Sequence, residues 1–140
     1  MYENVGTKTP MIEDILSLMA HSKVHKRWFV EDIFNIILPP FDLGHSIVVQ
    51  EKDKCVAFGT FAFLSDEVLN KFFTGSGKLT RKDFNSGPNI VLVDIIAPYG
   101  HAREITSKIR QRLIALGHWG KKIKYVRYYG AVRVLKESLL

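Results

Sequence analysis

Asp94 is the residue that most demands an explanation, because it is a carboxylate in the otherwise apolar run IVLVDII, residues 90–96. Strand alternation puts it on the same face as Ile90, Leu92 and Ile96. A carboxylate on a buried face persists only if it is paired, hydrogen-bonded or opened to a cleft at the C-terminal end of its strand, where open α/β sheets place their sites. A structural aspartate capping the following turn is the alternative. Histidines stand at 21, 25, 45, 101 and 118. His21 and His25 have the i, i+4 spacing of a metalloprotease helix, but HSKVH carries no glutamate after its first histidine, so no zinc site is expected. His25 sits just before Trp28 and Phe29, an aromatic pair that could wall an imidazole from water. A surface histidine in a basic stretch is the competing reading.

Other chemistry falls away on spacing. TGSGK (74–78) lacks the first glycine of a phosphate loop, since position 72 is Phe72. No serine occupies a nucleophile elbow. The single cysteine, Cys55, allows neither an internal disulfide nor a cysteine-based zinc site, and its place in KCVAFGTFAFLS makes it a buried strand thiol. Tyr125, Tyr128 and Tyr129, interleaved with Lys124 and Arg127, could stack single-stranded bases, and alternation in a half-buried strand explains them equally well.

The elements that must position these residues follow from periodicity. Met11, Ile12, Ile15, Leu16 and Met19 repeat at helical spacing, with Thr9 as N-cap and Pro10 at the first position. A second helical segment, 29–38, should stop at Pro39 and Pro40. Residues 46–50, the turn EKDK and residues 55–64 read as an antiparallel hairpin. A short helix over 66–73 and an irregular loop to Asn89 lead into the strand of Asp94. Strand 90–96, helix 102–115 ended by Gly117, and strand 124–129 have the length of a right-handed βαβ crossover, so those strands should be parallel. A last strand is expected over 132–135. The fold class is therefore α/β or α+β, a single domain over 1–140 with a central mixed sheet flanked by helices.

Composition bounds the function. The 140 residues are 46% hydrophobic and 11% aromatic, which excludes intrinsic disorder and suits one domain. No apolar run reaches the roughly 18 to 20 residues of a membrane span, and MYENVGTKTP lacks a leader's basic and apolar regions, so a cytoplasmic protein is expected. The net charge of +6 favours an acidic partner without choosing among nucleic acid, anionic membrane and protein. Its basic residues are densest at 23–27, 103–112 and 121–127.

SKVHKRW (22–28) followed by VLVDIIAPYG (91–100) resembles the toxin-activating lysine acyltransferases of RTX toxin operons, the haemolysin-activating family. VAFGTFAFLS (56–65), DFNSG (83–87) and KYVRYYGAVRVLK (124–136) extend the resemblance to about residues 11–136. Val24 stands where a proline is common and Ile95 where an aromatic is common. The resemblance implies a fold like the GCN5-related N-acetyltransferases. It also implies transfer of a fatty acyl group from acyl carrier protein, as its phosphopantetheine thioester, to internal lysines of an RTX-type protoxin. The family's catalytic histidine falls on His25 and its catalytic aspartate on Asp94. On this reading no tightly bound cofactor, metal or nucleic acid is expected, and a homodimer stays open.

The residues accommodate that chemistry. A lysine amine with a pKa near 10.4 must lose a proton before it attacks a thioester, which at pH 7 costs about 4.6 kcal/mol. A neutral imidazole beside an aspartate can accept it. With no clear protein nucleophile, direct attack is preferred over an acyl-enzyme. APYGHAR offers only Gly100 after Asp94, which argues against coenzyme A as donor. Acyl carrier protein is acidic, which makes Arg103, Arg110 and Lys121 candidate contacts. Two other classes stay open, a coenzyme A-dependent small-molecule N-acetyltransferase and a basic nucleic-acid-binding module.

Overall fold

The structure is a computed structural model that describes residues 9–140. Residues 1–8, and with them the reading of the N-terminus as leaderless and the start of the expected 1–140 domain, lie outside the described residues. The chain runs through α1 (Ile12–Ala20), a 3₁₀ turn (His25–Arg27), α2 (Val30–Asp32), a π-helical turn (Ile33–Ile37) and α3 (Leu38–Leu43). It then forms β1 (Ser46–Glu51), β2 (Lys54–Leu64), α4 (Asp66–Thr74), a 3₁₀ turn (Arg81–Phe84) and β3 (Asn89–Ile96). The crossover helix α5 (Ala102–Leu113), a π-helical turn (Ile114–His118), β4 (Lys122–Tyr129) and β5 (Val132–Leu139) complete it.

The five strands form one mixed sheet in sequence order, with β3 and β4 parallel and the other neighbours antiparallel. β2 has residues on both faces buried, as its nearly unbroken apolar run requires of a central strand. The hairpin turn is two residues, Lys52 and Asp53, both at positive φ (50° and 64°), the geometry that follows the right-handed twist of paired strands.

α1 leads the cover of one face, joined by α3 and α4, and α5 covers the other. α1 buries Ile15, Leu18 and Met19 against Val48, Phe58 and Ile96. α5 buries Ile105, Ile109 and Leu113 against Ile47, Ala57, Phe61 and Ile90 on the other face. At about 1.5 to 3 kcal/mol for each fully buried side chain, these two stripes dominate the placement of both helices. Gly59 lets α5 lie close, since a Cβ there would come within 2.9 Å of Ile105 and 2.8 Å of Ile109.

Three expectations are corrected. The cap of α1 is Met11, not Thr9: the Asp14 carboxylate takes the Met11 N–H at 2.7 Å, so Pro10 precedes the helix. Helical structure does not stop at Pro39. The Leu38 N–H reaches back five residues to the Ile33 carbonyl, and the proline pair then occupies the opening positions of α3, where a missing N–H costs little. Gly44, at φ 73°, ends it. The third correction concerns Asp94. Thr60 pairs with Asp94 and Phe61 with Leu92, so Val93 is an extra, bulged residue. Ile90 and Leu92 pack on the α5 face, whereas Ile96 packs with α1, so the bulge turns Asp94 away from Ile90 and Leu92 and onto the α1 face.

The remaining elements follow the periodicity closely. Ser65 caps α4 by accepting the Val68 N–H at 3.1 Å. The loop after α4 contains the Arg81–Phe84 turn, and β5 runs four residues beyond the expected end at 135. Cys55 is buried in β2 as expected.

Candidate active site

Ser22 builds the turn that carries His25. Its hydroxyl accepts the His25 backbone N–H at 3.3 Å and its carbonyl accepts the Lys26 N–H at 3.0 Å, which closes the chain just after α1. The imidazole is thereby aimed at the sheet face on which the β3 bulge presents Asp94. Across 69 residues of sequence, His25 Nε2 lies 2.9 Å from both carboxylate oxygens of Asp94. On the other side of the ring, Nδ1 lies 2.6 Å from Ser22 Oγ.

His25 is 7% exposed and Asp94's side chain 17%, so the pair is shielded yet reachable. The Trp28 ring, 4.8 Å from the imidazole centroid, supplies the shield. Phe29 does not: it is 72% exposed and carries Lys78 Nζ 5.9 Å from its ring centroid. His21 turns elsewhere, with Nδ1 donating to the Ser17 carbonyl at 2.9 Å, so the i, i+4 histidines do not converge. Among the described residues no group of three His, Cys, Asp or Glu side chains could hold a metal ion.

Two cavities meet at Asp94. One, of about 630 Å³, is lined by His25, Trp28, Asp32, Lys78, Leu79 and Asp94 among others. The Lys78 hydrogen bond holds the Asp32 carboxyl below its ordinary value, and Asp32 in turn holds the Lys78 ammonium above its own, so this wall stays an ion pair, 2.9 Å long. The other cavity, of about 440 Å³, opens where β3 and β4 part and is lined by Leu92, Ile95, Thr106, Ile109, Ile123, Tyr125 and Val126, with Arg110 and Arg127. Phe72, Val93, Asp94 and Tyr128 line both. An apolar chain could lie in the second space while a polar head reaches the imidazole from the first, with the carboxylate between them.

The three basic candidates are not gathered into one patch. Arg103 is exposed on the first turn of α5. Arg110 lines the smaller cavity and is tied to β5, donating to Ser138 Oγ at 3.0 Å and to the Leu139 carbonyl. Lys121 is exposed beyond the far end of α5, a helix about 18 Å long, with Nζ 3.4 Å from His118 Nδ1. The tyrosines also divide: Tyr125 lines the smaller cavity with Arg127 stacked 5.9 Å from its ring, and Tyr129 is exposed.

Sequence reasoning did not single out Ser22 for chemistry, because it lies in no nucleophile elbow. Its spacing was nevertheless a signal, since a serine three residues before a histidine across a helix end can cap the turn and touch the ring at once.

Residues 4–137 match the model of the RTX toxin acyltransferase family. The chain is 32% identical over 118 residues to the lysine-acyltransferase RtxC of Vibrio cholerae, covering 84% of this chain and 76% of that protein. It is 23% identical over 101 residues to the leukotoxin-activating lysine-acyltransferase LktC of a Pasteurella haemolytica-like species, covering 72% of this chain and 61% of that one. It is 24% identical over 102 residues to the RTX-II toxin-activating lysine-acyltransferase ApxIIC of Actinobacillus pleuropneumoniae, covering 73% and 64%.

Proposed function

The chain belongs to the RTX toxin acyltransferase family, and from that premise we propose that it moves a fatty acyl group from the phosphopantetheine thioester of acyl carrier protein to lysine side chains of an RTX-type protoxin. His25 is the general base and Asp94 its partner. The observation that carries this reading is the unbroken line Ser22, His25, Asp94, in which His25 lines the larger cavity and Asp94 lines both.

The chemistry follows from the tautomer. An ionised carboxylate only accepts, so the contact with Asp94 puts a proton on Nε2 and leaves the lone pair of neutral His25 on Nδ1, facing the Ser22 hydroxyl. The lysine ammonium first passes one proton through the Ser22 hydroxyl to Nδ1 as the hydroxyl's own proton moves on, and the neutral amine then attacks the thioester carbonyl carbon to form the C–N bond. The second proton on nitrogen goes to solvent as the amide forms. Asp94 stabilises the imidazolium. The C–S bond then breaks, and the imidazolium returns its proton to the phosphopantetheine thiolate. Trp28 keeps water from competing for the thioester. The apolar walls between β3 and β4 suit the fatty chain, and the net charge of +6 suits an acidic carrier in the cytoplasm.

A second reading is favoured by the 2.6 Å contact of Ser22 with Nδ1, the approach of an activated nucleophile: Ser22 could take the acyl group first. One experiment tests both. The protein is incubated with acyl-acyl carrier protein, or with acyl-coenzyme A, with and without an RTX-type protoxin, and all species are weighed intact. Direct transfer leaves the enzyme's mass unchanged while the toxin gains acyl groups. An acyl adduct lost in Ser22→Ala supports the two-step route, and equal use of acyl-coenzyme A overturns the carrier.

A further inference from the structure

Two buried hydroxyls stand in line with Asp94. Ser46 pairs with Thr60 across β1 and β2, and Thr60 pairs with Asp94 across β2 and β3. All three belong to the α1 face, since Val48 and Phe58, two residues from Ser46 and Thr60 along their strands, pack there with Ile96. Ser46 and Thr60 are 0% exposed. Ser46 Oγ and Thr60 Oγ1 have no hydrogen-bond partner among the described residues. Such hydroxyls are costly, and a well-packed sheet has no reason to keep two side by side when valine would fill the same space. Asp94 has the complementary surplus: His25 Nε2 engages both oxygens, and a carboxylate can accept about four hydrogen bonds. Directly paired antiparallel residues have Cβ atoms about 5 Å apart, within reach of a rotating hydroxyl.

We propose that Thr60 is a positioning residue for Asp94, its hydroxyl donating to the carboxylate in the reacting complex and holding the rotation that aims both oxygens at His25. Ser46 stands behind it as donor to the Thr60 oxygen. The proposal rests on the reading of His25 and Asp94 as base and partner. Catalytic hydrogen bonds are often long without substrate and tighten in the complex, in keeping with a hydroxyl not yet engaged.

The test compares wild type with Thr60→Val and Thr60→Ser in acyl transfer, followed by intact mass, together with thermal unfolding. Thr60→Val should keep or raise Tm, because it removes an unpaired buried hydroxyl at constant shape. It should lower kcat about 10- to 100-fold with KM for both substrates nearly unchanged. The pH below which kcat falls should move upward, because a carboxylate relieved of one donor holds the imidazole's proton more firmly. The other charged or titratable groups lining the two cavities, Asp32, Lys78, Arg110, Arg127, Tyr125 and Tyr128, are untouched by the change. Thr60→Ser should restore kcat and the profile. In an Asp94→Asn background Thr60→Val should cost nothing more. Wild-type kcat and pH profile in folded Thr60→Val would overturn the proposal, as would equal losses in the Val and Ser variants, which would trace the effect to packing. If Thr60→Val does not fold, Thr60→Ala against Thr60→Ser isolates the hydroxyl by the same criteria. Full turnover in Asp94→Asn would instead mean that the base-and-partner reading has failed.

Discussion

On its border with β2, strand β3 is paired from Asn89 to Ile96 and interrupted only by the bulge at Val93. On its border with β4 it is paired at Ile90 and Val91 alone, and from Leu92 onward the two strands line a cavity instead of bonding to each other. The first border is a register device: the buried side chains of β2, locked under α1 and α5, dictate how β3 must bend, and the bend delivers Asp94 to His25. The second border is a space, widened where β4 and β5 depart with largely exposed side chains. Precision lies on the paired side and room for a substrate on the unpaired side. A carboxylate at the boundary touches both.

The largest effects should come from the paired side. His25→Ala should lose about 3 to 5 kcal/mol of transition-state stabilisation with its fold intact, as for removal of a positioned base. Asp94→Asn should keep donor binding and lose turnover, and the double variant should be scarcely worse than either single one. Acylation measured by intact mass, with circular dichroism for folding, checks this. Wild-type turnover in folded His25→Ala would break the division of labour outright.

The unpaired side should respond in selectivity. Thr106→Phe would fill part of the space beside Leu92 and Ile109, and each methylene excluded from an apolar pocket costs about 1 to 3 kcal/mol. The donor preference should shift to shorter acyl chains, read from competition between carriers of different chain length. An unaltered preference would separate the acyl site from the seam between β3 and β4.

Stability sharpens the contrast further. Burial alone pushes the Asp83 carboxyl up, but the Thr80 N–H at 2.8 Å and Lys71 at 3.1 Å outweigh it and hold the group below 3.8. Its folded value is depressed, so its contribution is present above 3.8 and lost as pH falls through the lower folded value. Asp83→Asn should cost about 1 to 3 kcal/mol at neutral pH and flatten the acid limb of a denaturation series. Burial, with Arg112 nearby, likewise holds His45 below 6.5 among Phe61 and Phe63, so stability should begin to fall as pH drops below 6.5 toward its folded value. His45→Gln should remove that part of the dependence. The smallest effect belongs to the exposed hairpin, where Val132→Thr should stay within about 0.5 kcal/mol by urea denaturation.

Much of the architecture was legible because its signals are local. The apolar spacing of Ile15, Leu18 and Met19, the run through β2, and a crossover too long for a hairpin each commit the backbone whatever lies beyond. Asp94 was legible as an anomaly for the same reason, a charge where only apolar residues are cheap. The proline pair misled because the remedy, a bond from Leu38 back to Ile33, is a choice of hydrogen-bond register that composition does not record.

By itself, then, the sequence determined which segments form the mixed sheet and the helices that flank it, marked Asp94 as a charge needing a partner, and marked His25 as an imidazole beside an aromatic pair. Only the tertiary structure decided that each is the other's partner, that Ser22 completes the line, and that β3 and β4 part beside them. Helix and strand periodicities are set within a few residues, whereas the face a side chain occupies depends on register with a neighbouring strand. One bulged residue at Val93, invisible to alternation, reverses that face.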